Sequence, residues 1–299
     1  MTRNNINGIF LFDKHSKITS NSALQKVKNI FGANKAGHSG TLDPLATGLL
    51  PICFGEATKV SSYLLHSSKT YVVTAKLGEI TDTGDSEGRT IDTKRISKLS
   101  QSDFKKHLDS LIGESLQKPP MFSAVKVNGK RLYKYAQKGE IIERDSRKIN
   151  IYEITLINLT EKKFEIKVKC SKGTYIRVLI EDIAKNMGNY AHVTRLRRTN
   201  IELLENYQMH TFIQISDMSK NELQNCILPL DIVFKNMPKI KINRDESTKF
   251  NNGQNIKIDN EEQNIDETII VYNELNQLQG IGVALSENTI KPNKVFNLD

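Results

Sequence analysis

The sequence predicts an α+β body followed by a small C-terminal β-rich appendage, and three observations carry that expectation. Residues 1–237 contain both hydrophobic periodicities, with apolar residues recurring every three to four positions in some stretches and alternating in others. From Pro238 onward short strand-like runs are separated by Asn, Asp and Gly, with eleven asparagines in 62 residues. The charge changes at the same place. Residues 238–299 carry 7 Lys and Arg against 10 Asp and Glu, a balance of −3, so the +9 of the whole chain leaves +12 on residues 1–237.

The elements follow in order. Leu24, Val27, Ile30 and Phe31 fall on one helical face behind the possible caps Thr19 and Ser20, with Gly32 as a stop. A strand is expected over Thr70–Leu77, where β-branched residues concentrate. Ser100 caps a second helix running to Ile112, with Gly113 after it. Lys148–Asn158 and Lys163–Cys170 alternate and predict strands, and a third helix runs from about Tyr175 to Met187 before Gly188. Beyond the boundary at 237/238, the runs Ile240–Ile242, Ile256–Ile258, Thr268–Tyr272 and Gly280–Leu285 predict an all-β module. No repeat of 20–50 residues is visible.

Composition narrows the function classes. With 299 residues, 38% of them hydrophobic and 26% charged, the chain can bury a sizeable core, and no stretch approaches the ~18–20 apolar residues of a membrane span. The apolar run before Asp13 is too short for a secretory signal, so a cytoplasmic protein is expected. Cys53, Cys170 and Cys226 are odd in number and far apart, which suits core packing rather than a disulfide framework or a zinc cluster. The positive surplus favours an anionic partner, nucleic acid above all. A phosphate loop of the GxxxxGK[ST] kind, a complete dinucleotide fingerprint, HExxH and paired CxxC are all missing, which removes support for nucleotide-driven, redox and zinc chemistry.

Chemistry concentrates in Gly37-His38-Ser39-Gly40-Thr41-Leu42-Asp43-Pro44-Leu45-Ala46-Thr47-Gly48. Three glycines and a proline in twelve residues make this a loop, and Pro44 biases Asp43 toward extended backbone. Asp43 can be a catalyst or the cap of a helix after Pro44; His38 can be a site residue or a turn histidine. In Cys170-Ser171-Lys172-Gly173-Thr174-Tyr175-Ile176-Arg177, a strand meets a helix whose N-terminal amides attract anions. Arg177 adds a fork for carboxylate or phosphate, or is simply a helix-surface arginine. Arg195-Leu196-Arg197-Arg198 and Lys126–Tyr135 offer basic residues for phosphates and tyrosines for unstacked bases, or solvated surface.

Taken together, GHSGTLDPLATGLLPICFGEATK, KTYVVTAKLGEITDTGDSEG, KPPMFSAVKVNGKRLYKYAQKGE and CSKGTYIRVLIEDIAKNMGNYAHVTRLRRT resemble, in order, the blocks of the TruB family of tRNA pseudouridine synthases. With the opening segment they span roughly residues 8–199. The resemblance implies a pseudouridine-synthase fold, a curved mixed sheet flanked by helices, over residues 1–237. It implies a PUA-like RNA-binding appendage over 238–299, here short and net acidic. One departure stands at Asp13–Ser20, where His15 and Lys17 replace the proline and glycine usual in the family while Lys14 is kept.

By resemblance, Asp43 is the catalytic aspartate, Tyr71 stacks on the target uracil and takes part in catalysis, and Arg177 pairs with the catalytic carboxylate. His38 fills the space left by the extruded base, Tyr175 and Leu196 line the pocket around that base, and Lys14 joins the substrate-binding set. The implied reaction converts uridine 55 of the T loop of tRNA to pseudouridine, breaking N1–C1′ and forming C1′–C5. Nothing outside the nucleoside enters or leaves, so no cofactor and no metal is expected. The implied partner is tRNA through its T arm, without guide RNA, protein partner or membrane, the chain acting as a monomer. The residues also leave room for a tRNA-binding or folding protein in which catalysis is dispensable. A nucleoside hydrolase is a weaker alternative, because nothing in the sequence suggests a bound metal or a water-positioning acidic cluster.

Overall fold

The computed structural model describes residues 4–97, 100–258 and 264–298. Among them, nine strands form one mixed sheet. Across it run Ile227–Leu228, Gly8–Lys14, Thr47–Phe54, Ala191–Ile201, Lys69–Leu77, Lys163–Cys170, Arg147–Leu159 and Gly113–Gln117, while Ala36–His38 pairs with Thr47–Phe54 off that path. The neighbours are antiparallel except where Ala191–Ile201 meets Thr47–Phe54 in parallel through Arg197 and Arg198. The predicted strands are present, Lys163–Cys170 with the expected bounds and the other two slightly extended, to Lys69–Leu77 and Arg147–Leu159.

The helices form where the sequence places their caps. Thr19 accepts from the Ser22 amide at the start of Ser20–Phe31, and Gly32 closes it in the left-handed region at φ 62°. Ser100 caps Gln101–Asp109, which stops three residues before the expected Ile112 in a turn. Tyr175 stands at the N-cap of Ile176–Asn186, whose buried face of Ile176, Leu179, Ile180 and Ile183 packs on the sheet. Pro44 is followed by a turn and then the strand from Thr47, not by a helix, which removes the capping role considered for Asp43.

The C-terminal residues build a separate five-stranded sheet in the order Lys239–Ile242, Thr268–Asn273, Leu278–Ser286, Thr289–Val295, Ile256–Lys257. It is not all-β as expected. Arg244–Asn251 is a helix, started by a capping box between Asn243 and Glu246. Its periodicity is hard to see because only Ser247 and Phe250 are buried. The unit shares a core with the body: Ile270, Leu278, Ile281 and Phe296 pack with Leu230, Val233 and Phe234. Polar contacts rim that core. Tyr272 donates to Asp231 at 3.0 Å, Lys59 donates to the Val295 carbonyl at 2.8 Å, and Lys294 to the Lys59 carbonyl at 2.7 Å. Cys53 and Cys170 are buried free thiols, as core packing requires.

Phe234 is fully buried at this junction, edge-on to Tyr63 and stacked near Phe296. Phe234→Ala is expected to cost about 3–5 kcal/mol and to lower the melting of both units together in one transition. A calorimetric scan showing only the C-terminal unit melting early would contradict this.

Candidate active site

The site forms where one end of the central strands meets the start of the helix Ile176–Asn186. Asp43, Tyr71, Tyr175, Arg177 and Leu196, far apart in the chain, line one cavity of about 240 Å³ with Gly40, Lys69, Gly173 and Arg198 among the other walls. Sheet register explains part of this convergence. Tyr71 lies opposite Arg198 and Val73 opposite Leu196 on adjacent antiparallel strands, so their side chains share the sheet face that the helix covers.

Arg177 is the hub. Its Nε lies 2.8 Å from Asp43 Oδ2 and 3.7 Å from Asp85 Oδ2, while Nη1 donates to the Thr83 carbonyl and Nη2 to the Phe122 carbonyl at 2.8 Å. The side chain is 5% exposed, so it is not a helix-surface arginine. Asp85 is buried and is itself held by the Thr83 hydroxyl at 2.7 Å and the Glu87 amide at 3.0 Å. A neighbouring cation by itself lowers a carboxyl pKa, yet the net shift at Asp43 is upward. Desolvation in the crowded cavity outweighs Arg177 although 37% of the Asp43 side chain stays exposed, and the Asp85 charge adds to the rise.

Buried cations shape the loop around Asp43. Arg198 is fully buried, donating from Nε to the Leu49 carbonyl at 2.7 Å and from Nη2 to the Gly40 carbonyl at 2.8 Å. Gly40 and Gly48, at φ 73° and 97°, give it room: a Cβ on Gly48 would lie 2.2 Å from the Arg198 carbonyl oxygen, and one on Gly40 would lie 3.0 Å from Nη1. Lys14 is expected at the substrate, but it is fully buried and donates to the carbonyls of His15, Ile18 and Pro44 at 3.0, 2.8 and 3.2 Å. Its ammonium, pushed down to about 8 by burial, fastens the residue after Asp43 from beneath. Lys69 does the same for the helix Ser61–His66, donating to Leu64, Leu65 and Ser67 carbonyls.

Lys17 stands where the resembled motif has glycine, and the structure shows why glycine suits it: φ is 65°, and the amide donates to the Pro44 carbonyl at 2.9 Å. His38 lies outside the cavity wall on its short strand, paired with Ile52. Burial lowers its pKa, and its Nδ1 is buried without a partner, so the ring is held neutral beside the loop. Tyr71 is half-buried, and burial raises its pKa, leaving a neutral hydroxyl.

The basic runs divide. Arg197 is a bidentate partner of Asp13 at 2.9 and 2.7 Å, and Arg198 is structural, which leaves Arg195 exposed. Lys126–Tyr135 forms a tight hairpin and a helix; Lys130 sits 4.1 Å over the Tyr135 ring, so that face is already covered. Sequence reasoning missed Asp85, Lys69 and Gln117. Asp85 lies inside the TDTGDSEG stretch, but a carboxylate in a turn looks like any other until Arg177 is placed beside it.

Residues 28–176 match the model described as TruB family pseudouridylate synthase (N terminal domain), and residues 177–235 match a tRNA pseudouridylate synthase B C-terminal domain. Residues 238–296 match Pseudouridine synthase II TruB, C-terminal. The chain is 41% identical over 297 residues to tRNA pseudouridine synthase B of Actinobacillus pleuropneumoniae, covering 98% of this chain and 97% of the relative. It is 44% identical to the enzyme of the same name from Neisseria meningitidis serogroup B, covering 92% and 89%. Among solved structures, a chain from a Cbf5–Nop10–Gar1 complex superposes with a TM-score of 0.74 at 23% identity, covering 96% of this chain and 84% of that one, a likeness of fold.

Lys17→Gly should relieve left-handed strain on a residue with a Cβ, raising stability by about 1 kcal/mol after the added chain entropy is offset. Urea midpoints for the two proteins check it; an unchanged or lower midpoint would show that the Lys17 side chain offsets its own strain.

Proposed function

This chain belongs to the TruB family of pseudouridylate synthases, and from that premise we propose that it isomerises the uridine at position 55 in the T loop of tRNA. The observation that carries the reading is Asp43 at 2.8 Å from Arg177 in a cavity walled by Tyr71, Tyr175 and Leu196. The relatives' names support tRNA as the RNA, and the +12 on residues 1–237 supports phosphate contacts made mainly by that catalytic unit. Residues 238–299 serve as the smaller RNA-contacting appendage, and the chain acts as a cytoplasmic monomer. Among the described residues no helix is long and apolar enough to cross a membrane.

The reaction breaks N1–C1′ and joins C1′ to C5; the C5 proton leaves and N1 gains one, so the nucleoside is isomerised without net gain or loss of atoms. The target base must leave its stack, which costs a few kcal/mol. Tyr71 stacks on it, Tyr175 and Leu196 enclose it, and His38 occupies the place it vacates. Asp43 acts in the ionised form, on the sugar or on the base, and Arg177 holds its carboxylate in place. The Tyr71 hydroxyl, neutral because burial raises its pKa, orders the transfer of the C5 proton rather than taking it as a phenolate.

Incubating the protein with unmodified tRNA transcript tests the reading: pseudouridine at one T-loop position supports it, whereas free uracil or no product would overturn it. Asp43→Asn should abolish single-turnover conversion while tRNA affinity holds; retention within about tenfold, a barrier change of only ~1.4 kcal/mol, would remove its role. Because burial raises the Asp43 pKa, ionisation costs the fold stability: that contribution is full below the unfolded carboxyl value and is lost as pH rises through the folded one. Asp43→Asn should therefore melt no lower than the parent at neutral pH, and the acid limb of the parent's rate profile should lie above the ordinary aspartate range.

Two substitutions separate the roles of Tyr71. Tyr71→Phe keeps the stacking face and should slow catalysis by ~10²–10⁴ if the hydroxyl assists proton transfer. Tyr71→Leu should in addition weaken base capture by up to ~1–3 kcal/mol. A fully active Phe variant would leave Tyr71 with stacking alone.

A further inference from the structure

Gln117 ends the edge strand Gly113–Gln117, whose three preceding residues are exposed, yet Gln117 itself is 4% exposed. Its side-chain amide faces the backbone of Tyr175. Oε1 accepts from the Tyr175 amide at 2.7 Å, and Nε2 donates to the Tyr175 carbonyl at 3.1 Å. One amide thereby bonds both backbone polar groups of the residue at the N-cap of Ile176–Asn186, whose carbonyl also accepts from the Leu179 amide at 3.0 Å, at a helix end that has no side-chain cap of its own.

We propose that Gln117 is a positioning residue for this reaction, fixing through Tyr175 the first helical turn that aims Arg177 at Asp43. The inference rests on the proposed site. Arg177 lies two residues beyond Tyr175, so a rotation of that turn moves the guanidinium across the 2.8 Å contact with Asp43. Gln117 is also paired with Arg147, which makes this the place where residues 118–146, including the basic hairpin, leave the sheet and return to it. The same excursion offers the Phe122 carbonyl to Arg177 at 2.8 Å. The root of the basic hairpin and the start of the catalytic helix are thus joined by one side chain. Glutamine alone among the acidic and amide pair fits both bonds. A glutamate carboxylate can accept from the Tyr175 amide but has no proton for its carbonyl, and leucine fills the space with neither.

The test uses the full chain carrying Gln117→Leu or Gln117→Glu, with single-turnover pseudouridine formation, tRNA affinity and melting temperature measured from neutral to mildly acidic pH. Gln117→Leu should be about tenfold to a hundredfold slower, as expected for a small misplacement of reacting groups, with tRNA affinity unchanged. Of the titratable groups that face Asp43, namely Arg177, Asp85, Lys14, Glu87 and the hydroxyls of Tyr71 and Tyr175, Arg177 is the charged one carried by the helical turn that Gln117 holds. Its displacement should move the acid limb of the Leu variant upward. Gln117→Glu should regain activity relative to wild type as the pH falls, because the protonated carboxyl can again donate to the Tyr175 carbonyl. Wild-type rates in both variants would overturn the proposal. So would a slower rate that merely tracks lost melting temperature and tRNA affinity with the acid limb unmoved. A wild-type chain that makes no pseudouridine would instead overturn the site reading itself.

Discussion

The guanidinium of Arg177 is the contact on which the rest of the site depends. A single buried cation faces two carboxylates, Asp43 and Asp85, and donates to two carbonyls, those of Thr83 and Phe122. These partners come from three separate parts of the chain, so the ion pair ties the Asp43 loop, the Thr83–Asp85 turn and the base of the hairpin excursion to the helix that carries Arg177. Removing either carboxylate leaves the other opposite the charge, which is why the arrangement tolerates a buried arginine at all.

A second theme is the use of positive charge as internal scaffold. Lys14, Lys69 and Arg198 are buried, and their donors go to main-chain carbonyls around the cavity. A buried ammonium or guanidinium must satisfy its donors, and here the acceptors are loop carbonyls, the carbonyls of a helix end and one strand carbonyl, that of Leu49. The result is a rigid small-residue loop beneath Asp43. The same fact reduces the charge free to meet phosphates, so the net +9 overstates the exposed basic surface.

The C-terminal sheet is joined to the body by apolar packing as well as polar contacts. Phe296 and Ile281 share a cluster with Phe234 and Leu230, and the backbone at the end of the last strand is gripped by Lys59. Its acidity therefore does not make it a detached tail.

Much of this was legible in the amino-acid order. Local rules placed the caps Thr19 and Ser100, the stop at Gly32, and the strands Lys69–Leu77 and Lys163–Cys170, because capping and side-chain periodicity act over a few residues. Four ordered motifs identified the family and brought forward Asp43, Tyr71, Tyr175, Arg177 and Leu196, which the fold gathers on one cavity. Tertiary structure decided what depends on distant neighbours. In the sequence Arg198 looks like a phosphate contact and Lys14, by resemblance, like a substrate-binding residue, and only burial against carbonyls turns them inward. The upward shift of Asp43 follows from desolvation, which no spacing encodes. Gln117 carries no sequence signal because its function lies in meeting a backbone 58 residues away, and that meeting exists only once the sheet edge and the helix start are packed together.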